Sequence, residues 1–154
     1  MALADPTRLF IEVARLNDRL NAASDALVAD LGLTSARWQV MGSIATATGP
    51  CTVSDLARRM GLARQSVQRV VNDLADMGLV SLVNNPGHAR ARHLRLTPNG
   101  EVAFVEANER RQPWAEALAT DLDDVELHGA LQVLKALNRA LVSSASEASR
   151  ARPD

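Results

Sequence analysis

The sequence predicts a mainly α-helical chain with one small β-hairpin, arranged as a winged helix-turn-helix lobe framed by helical ends. Three observations lead there. Two short amphipathic helical stretches are joined through a tight turn containing Gly61. After Gly78 the apolar period changes from helical to alternating, which gives two short strands. Longer leucine-rich helical stripes precede and follow this centre.

The first helix spans Pro6 to Leu31, with Leu9, Val13, Leu16, Leu20, Ala23 and Leu27 alternating at spacings of four and three. Gly32 supplies its stop. Such a stripe covers either an intramolecular core or the same helix of a second subunit, and the pattern alone does not choose. Thr34 is placed as the N-cap of a second helix carrying Trp38, Met41 and Ile44, ended by Gly49-Pro50. Thr52 to Asp55 has the form of a capping box, and Val53, Leu56, Ala57 and Met60 line the short helix that follows. After the turn, Val67, Val70, Val71, Leu74 and Met77 define the buried face of the second helix of the unit.

Leu79–Val83 and His93–Thr97 read as strands, with turn signals at Asn85, Pro86 and Gly87 between them. The tip of this hairpin carries His88, Arg90 and Arg92 and almost nothing apolar. Thr97-Pro98 opens another helix running toward Asp121, with a kink or break expected at Pro113. Asp123 to Glu126 forms a further capping box, and Leu127, Leu131, Leu134, Leu137 and Leu141 line a final helix. Three regions follow: a lobe at 33–100, a helical region made of 5–31 with 101–145, and a disordered tail at 146–154.

Composition bounds the function. The chain has 154 residues, 47% of them hydrophobic and 23% charged, which is an ordinary globular make-up for one core plus an assembly surface. The N-terminus has no signal-peptide character, and the longest uncharged run, Trp38 to Ser54, is broken by Gly49-Pro50, so no membrane span is expected. The single cysteine, Cys51, fits a reducing cytoplasm. His88, His93 and His128, one thiol and scattered acids form no nucleophile–base or metal-ligand spacing, so neither an enzyme nor a metal or other cofactor is expected.

The net charge of −1 argues globally against a nucleic-acid partner, but its distribution reverses that argument. Between Ser54 and Thr97 seven arginines face three acids, a local balance of +4 in a chain whose remainder carries −5. The second helix of the helix-turn-helix concentrates this signal. Its first turns hold Arg64, Gln65, Ser66, Gln68 and Arg69 and no carboxylate before Asp73. A helix N-terminus favours acids, so arginines there run against the helix dipole. A polyanionic ligand resolves the conflict: in a helix-turn-helix this end enters the major groove of double-stranded DNA, where Arg pairs with guanine and Gln with adenine. The expected DNA-binding residues are Ser54, Arg64, Gln65, Ser66, Gln68, Arg69, Asn72, His88, Arg90 and Arg92. Two other readings stay open. One is a winged-helix protein-interaction module that does not bind DNA; the other is a thiol-based redox-sensing regulator using Cys51.

Local sequence then points to a family. The stretch "LGLTSARWQVM", the helix-turn-helix "VSDLARRMGLARQSVQRVVNDLADMGLV" and the exit from the wing "HLRLTPNG" resemble the MarR family of bacterial transcriptional regulators. The resemblance covers nearly the whole chain and is strongest from Leu31 to Gly100. It implies a homodimer held by the terminal helices on a pseudo-palindromic operator. It also implies repression relieved by a small phenolic or lipophilic anionic effector near the junction of lobe and dimer helices, where Trp38 and Met41 fall. Two departures stand out. Where the family's wing has Asp-x-Arg, this chain has His88 ahead of Arg90, and where the recognition helix is capped by Ser or Thr, this chain has Ala63.

Overall fold

The computed structural model describes residues 5–87 and 91–150. In chain order the elements are α1 (Pro6–Val28), a 3₁₀ turn (Ala29–Leu31), α2 (Ser35–Ala45), α3 (Val53–Met60), α4 (Arg64–Asp76), β1 (Val80–Val83), β2 (His93–Leu96), α5 (Pro98–Leu118) and α6 (Asp124–Arg150). Residues up to Gln112 form one compact unit, and residues from Pro113 onward form a second.

Local chemistry sets the boundaries. Asp5 caps α1 by accepting from the Thr7 N–H at 2.9 Å, with Pro6 at the first helical position. Thr34 caps α2 as the sequence predicts, through the Arg37 N–H. That helix ends at Ala45, earlier than Gly49-Pro50: Thr46, at φ −92° and ψ 4°, leaves the helical conformation, and the Ala47 N–H bonds the Ile44 carbonyl three residues back. The Thr52–Asp55 box is complete, since each residue's side chain accepts from the other's backbone N–H. Gly61 follows α3 at φ +66°, a left-handed conformation that glycine adopts at little cost, and so reverses the chain toward α4.

The core lies inside the first unit. Trp38, Val40, Met41 and Ile44 of α2, Leu56 of α3, Val67, Val71 and Leu74 of α4 and Val80 and Leu94 of the strands are all buried. The strands pair antiparallel, Val80 opposite Leu96 and Val83 opposite His93. A third short piece joins them: the Leu94 N–H donates to the Cys51 carbonyl at 2.9 Å, tying the segment ahead of α3 to the wing. At the wing's turn the Gly87 N–H donates to Asn85 Oδ1.

Three side chains tie segments distant in sequence to one another. Arg37 bonds the Gly32 carbonyl and pairs with Asp73 of α4 at 3.3 Å. Arg110 of α5 bonds the Leu27 carbonyl at 3.2 Å and pairs with Asp30 and Glu106. Thr97 caps α5 through the Gly100 N–H and donates its hydroxyl to the Gly78 carbonyl at 2.6 Å. The Asp30 carboxyl is held below the usual carboxylate range by Arg110, which is itself raised by Asp30 and Glu106.

The terminal helices differ from the lobe. Leu9, Phe10, Leu16 and Leu20 of α1 are exposed, and so are Leu127, Leu131, Leu134 and Leu141 of α6, whose cap is the reciprocal Asp123–Glu126 pair. No described residue of α6 is buried. Of the kink or break expected at Pro113, the break is absent, since α5 spans Pro98–Leu118 with Pro113 inside it. One expectation needs correction. The helix α6 runs to Arg150, so residues 146–150 are helical where disorder was expected, because Ser, Ala, Glu and Arg offer no breaker before Pro153. Among the described residues no helix is long and apolar enough to cross a membrane.

Candidate nucleic-acid interface

The apolar stripe of α4 decides what its other face can do. Val67, Val71 and Leu74 face the core, and this turns Arg64, Gln65, Ser66, Arg69 and Asn72 outward, all exposed, with Gln68 half-buried. Arg64, Gln65, Gln68, Arg69 and Asn72 surround a shallow hollow of about 430 Å³. The first turn is uncapped: Ala63 has the extended backbone of an N-cap but no side chain to accept an N–H. The Ser66 and Val67 N–H groups bond the Ala63 carbonyl, and no cap side chain accepts from the first turn, which leaves this positive helix end open to an anion.

The wing and α3 complete the surface. Thr52 and Ser54 at the start of α3, Arg64 and Gln68 of α4, and Leu82 and Arg92 of the hairpin line a groove of about 270 Å³. The structure thus brings Ser54, Arg64, Gln68 and Arg92, expected from sequence to act together, onto one groove. His88 and Arg90 lie outside the described residues. Within α4 the Gln68 amide donates to Asn72 Oδ1 at 2.9 Å, a link the spacing of four permits but does not announce.

Two of the three acids of this region are occupied, and the third, Asp76, is the last residue of α4, far from its reading end. Asp55 is held below the usual carboxylate range by the Thr52 N–H and hydroxyl, with a smaller contribution from Arg58. Asp73 pairs with Arg37, away from the reading end of α4. Arg58, Arg64, Arg69 and Arg92 are exposed, so the face formed by α3, α4 and the wing is cationic; Arg95 is exposed too but borders a different hollow, with α2 and α5. Sequence reasoning did not single out Arg58 and Arg95. Their signal was the regional charge excess, and only the fold shows that both side chains are exposed.

Elsewhere the unit offers a second concavity. Gln39, Ser43, Arg59, Phe104, Asn108 and Arg111 border a hollow of about 600 Å³ between α2, α3 and α5. Asn108 Oδ1 is buried without a hydrogen-bond partner, and the Arg111 guanidinium stands 5.5 Å from the centre of the Trp38 ring. Trp38 is buried and walls a smaller neighbouring cavity with Ser24, Ser35 and Arg111, while Met41 is wholly buried in the core. Cys51 is buried too, and burial pushes its thiol up, the opposite of what a reactive thiolate needs. Among the described residues no cluster of three or more His, Cys, Asp or Glu could hold a metal.

Comparison with known proteins agrees with this geometry. The MarR family model matches residues 31–91, which contain α2, the helix-turn-helix and the start of the wing. An uncharacterized protein of Mycobacterium tuberculosis is 35% identical over 134 residues, covering 87% of this chain and 92% of that one. The transcriptional activatory protein BadR of Rhodopseudomonas palustris is 27% identical over 147 residues, 91% of this chain and 84% of its own. The structure of Staphylococcus aureus MarR in complex with salicylate and kanamycin superposes with a TM-score of 0.79 at 14% identity, over 90% of this chain and 93% of that one. With the family model matching its lobe and a relative 35% identical along nearly its whole length, the chain belongs to the MarR family of transcription regulators.

Proposed function

We propose that the chain is a ligand-responsive repressor that binds a pseudo-palindromic operator as a homodimer. One observation carries this reading: the outward side of α4 presents Arg64, Gln65, Gln68 and Arg69 with no competing acid, and Arg64 and Gln68 share a groove with Ser54 and Arg92. Residues 33–100 act as the DNA-binding lobe. Gln65, Gln68 and Arg69 read base edges, while Arg64, Ser66, Asn72, His88, Arg90 and Arg92 add groove and phosphate contacts. The dimer forms from 5–31 and 101–145. The exposed leucines of α1 and α6 support this, since a monomer that left them in water would carry an unusually large apolar surface.

The effector, a small phenolic or lipophilic anion, enters the hollow beside Asn108 and Arg111. Arg111 supplies positive charge there, with Asn108 in the lining, Trp38 as a wall and Met41 as packing behind it. The resemblance to a MarR protein whose solved complex contains salicylate supports an anionic aromatic ligand. Fluorescence anisotropy of the full chain with duplexes selected from a randomised library tests the reading. Saturable, sequence-selective binding that weakens steeply with salt is expected, and salicylate added as a probe releases the duplex. Equal affinity for all duplexes, or none, contradicts it.

A further inference from the structure

The Gln68–Asn72 amide pair limits what Gln68 can recognise. The two residues lie one turn apart on the outward side of α4, and Gln68 Nε2 donates to Asn72 Oδ1 at 2.9 Å. A glutamine amide offers two N–H donors and one acceptor oxygen. The bond to Asn72 engages one donor and fixes the plane of the amide. One N–H and the oxygen remain, where Gln68 borders both hollows of the interface; they lie side by side when the bond to Asn72 uses the hydrogen trans to the oxygen.

That remaining pair has a single good match among base edges in the major groove. Adenine presents an acceptor at N7 beside a donor at N6, so both free groups of Gln68 are satisfied together. Guanine presents two acceptors, N7 and O6, and would set O6 against the Gln68 oxygen. Cytosine offers a donor alone, and thymine an acceptor beside a methyl group. An unrestrained glutamine could rotate to suit guanine or adenine and would lose rotamer freedom in doing so. Asn72 removes both the ambiguity and part of that loss.

We propose that Gln68 reads an adenine in each half-site, and that Asn72 is the positioning residue that sets which way the Gln68 amide faces. The inference rests on α4 being the DNA-reading helix, and its test separates the two. The full chain first selects duplexes from a randomised library at fixed ionic strength. Each adenine of an enriched duplex is then replaced in turn by 7-deazaadenine, which removes the N7 acceptor, and affinity is read by anisotropy. One adenine per half-site should show a loss of about fivefold to 150-fold with the parent and almost none with Gln68→Ala. Asn72→Ala should lose most of that discrimination while its melting temperature matches the parent's. Asn72→Asp keeps the acceptor, so it should restore the discrimination even as its added charge weakens binding to every duplex alike. Parent-level discrimination in Asn72→Ala overturns the inference, as does a Gln68-dependent base pair other than A·T. A library in which no sequence is enriched overturns it together with the DNA-binding reading beneath it.

Discussion

Replacing Gly100 with alanine should damage the joint between the wing and α5. Gly100 is the third residue of α5, and its backbone lies against the peptide of Leu79. A methyl group added there would sit 2.0 Å from the Leu79 oxygen and 2.9 Å from its carbonyl carbon. An ordinary carbon–oxygen contact is about 3.3 Å or more, so the two backbones must separate by more than about 1 Å. Neither atom is the end of a flexible side chain. The separation would strain three bonds at once: Thr97 N–H to the Leu79 carbonyl at 3.0 Å, the Thr97 hydroxyl to the Gly78 carbonyl at 2.6 Å, and the Gly100 N–H to Thr97 Oγ1 at 3.0 Å. Overpacking costs about 1–3 kcal/mol and each lost hydrogen bond about 0.5–1.5 kcal/mol, less up to about 1 kcal/mol gained from alanine's helix propensity. A net loss of roughly 2–3 kcal/mol lowers Tm by about 4–12 °C in a chain of this size. Gly129 is the control, because an added Cβ there meets nothing within 4 Å in the exposed middle of α6. Gly129→Ala should raise Tm, by about 0.5–1 kcal/mol of stability. Scanning calorimetry at one protein concentration compares the three chains. A Gly100→Ala variant melting within about 1 °C of the parent would refute the steric argument.

Three further outcomes follow from single residues. Ala63→Ser gives α4 the side-chain cap it lacks and should stabilise the chain by about 1 kcal/mol in thermal melts; no gain would mean the first-turn N–H groups are already satisfied. Cys51→Ala should leave DNA affinity unchanged, and peroxide should not release the parent from its operator, since burial raises the thiol pKa; release from the parent but not from the variant would restore the thiol-switch reading. Asp55 titrates below the ordinary aspartate value of about 3.9, so its stabilisation is present above that value and disappears as pH falls through the lowered one. Asp55→Asn should therefore show a shallower loss of Tm on acidification than the parent, and identical acid limbs would show that the capping box is not what Asp55 contributes.

Much of this architecture was legible because local chemistry and global fold agree. The Thr52–Asp55 and Asp123–Glu126 boxes, the Gly61 turn and the change of period after Gly78 each specify one conformation whatever surrounds them. Alternation alone placed β1 and β2 to within a residue at each end. What escaped depends on contacts between distant segments. The Cys51–Leu94 bridge joins residues whose local sequence carries no strand signal at Cys51, and the Arg37–Asp73 and Arg110–Asp30 pairs join charges that look like any solvated residue in sequence. The end of α2 was misplaced because the backbone leaves the helical conformation at Thr46, before the more conspicuous Gly49-Pro50.

The interface shows the same division. The side chains of α4 were legible because a buried face of valines and a leucine leaves the opposite face no choice but to point outward. Their grouping with Ser54 and Arg92 on one groove, and the bond between Gln68 and Asn72, required the packed lobe. Trp38 and Met41 show the opposite outcome. Both sit in the expected part of the chain, but Met41 is core and Trp38 meets its neighbouring cavity only as a buried wall beneath Arg111. The polar groups lining the hollow there, Asn108 and Arg111, lie in α5 and carry no motif of their own.

The central claim is that two copies of α4 and the wing read one duplex. Hydroxyl-radical footprinting of the full chain on a selected duplex tests it most directly. The account predicts two protected patches related by a dyad, their centres about one helical turn of 10–10.5 base pairs or a multiple of it apart, both lost together in Arg69→Ala. A single patch, or protection that survives removal of Arg69 unchanged, would contradict it.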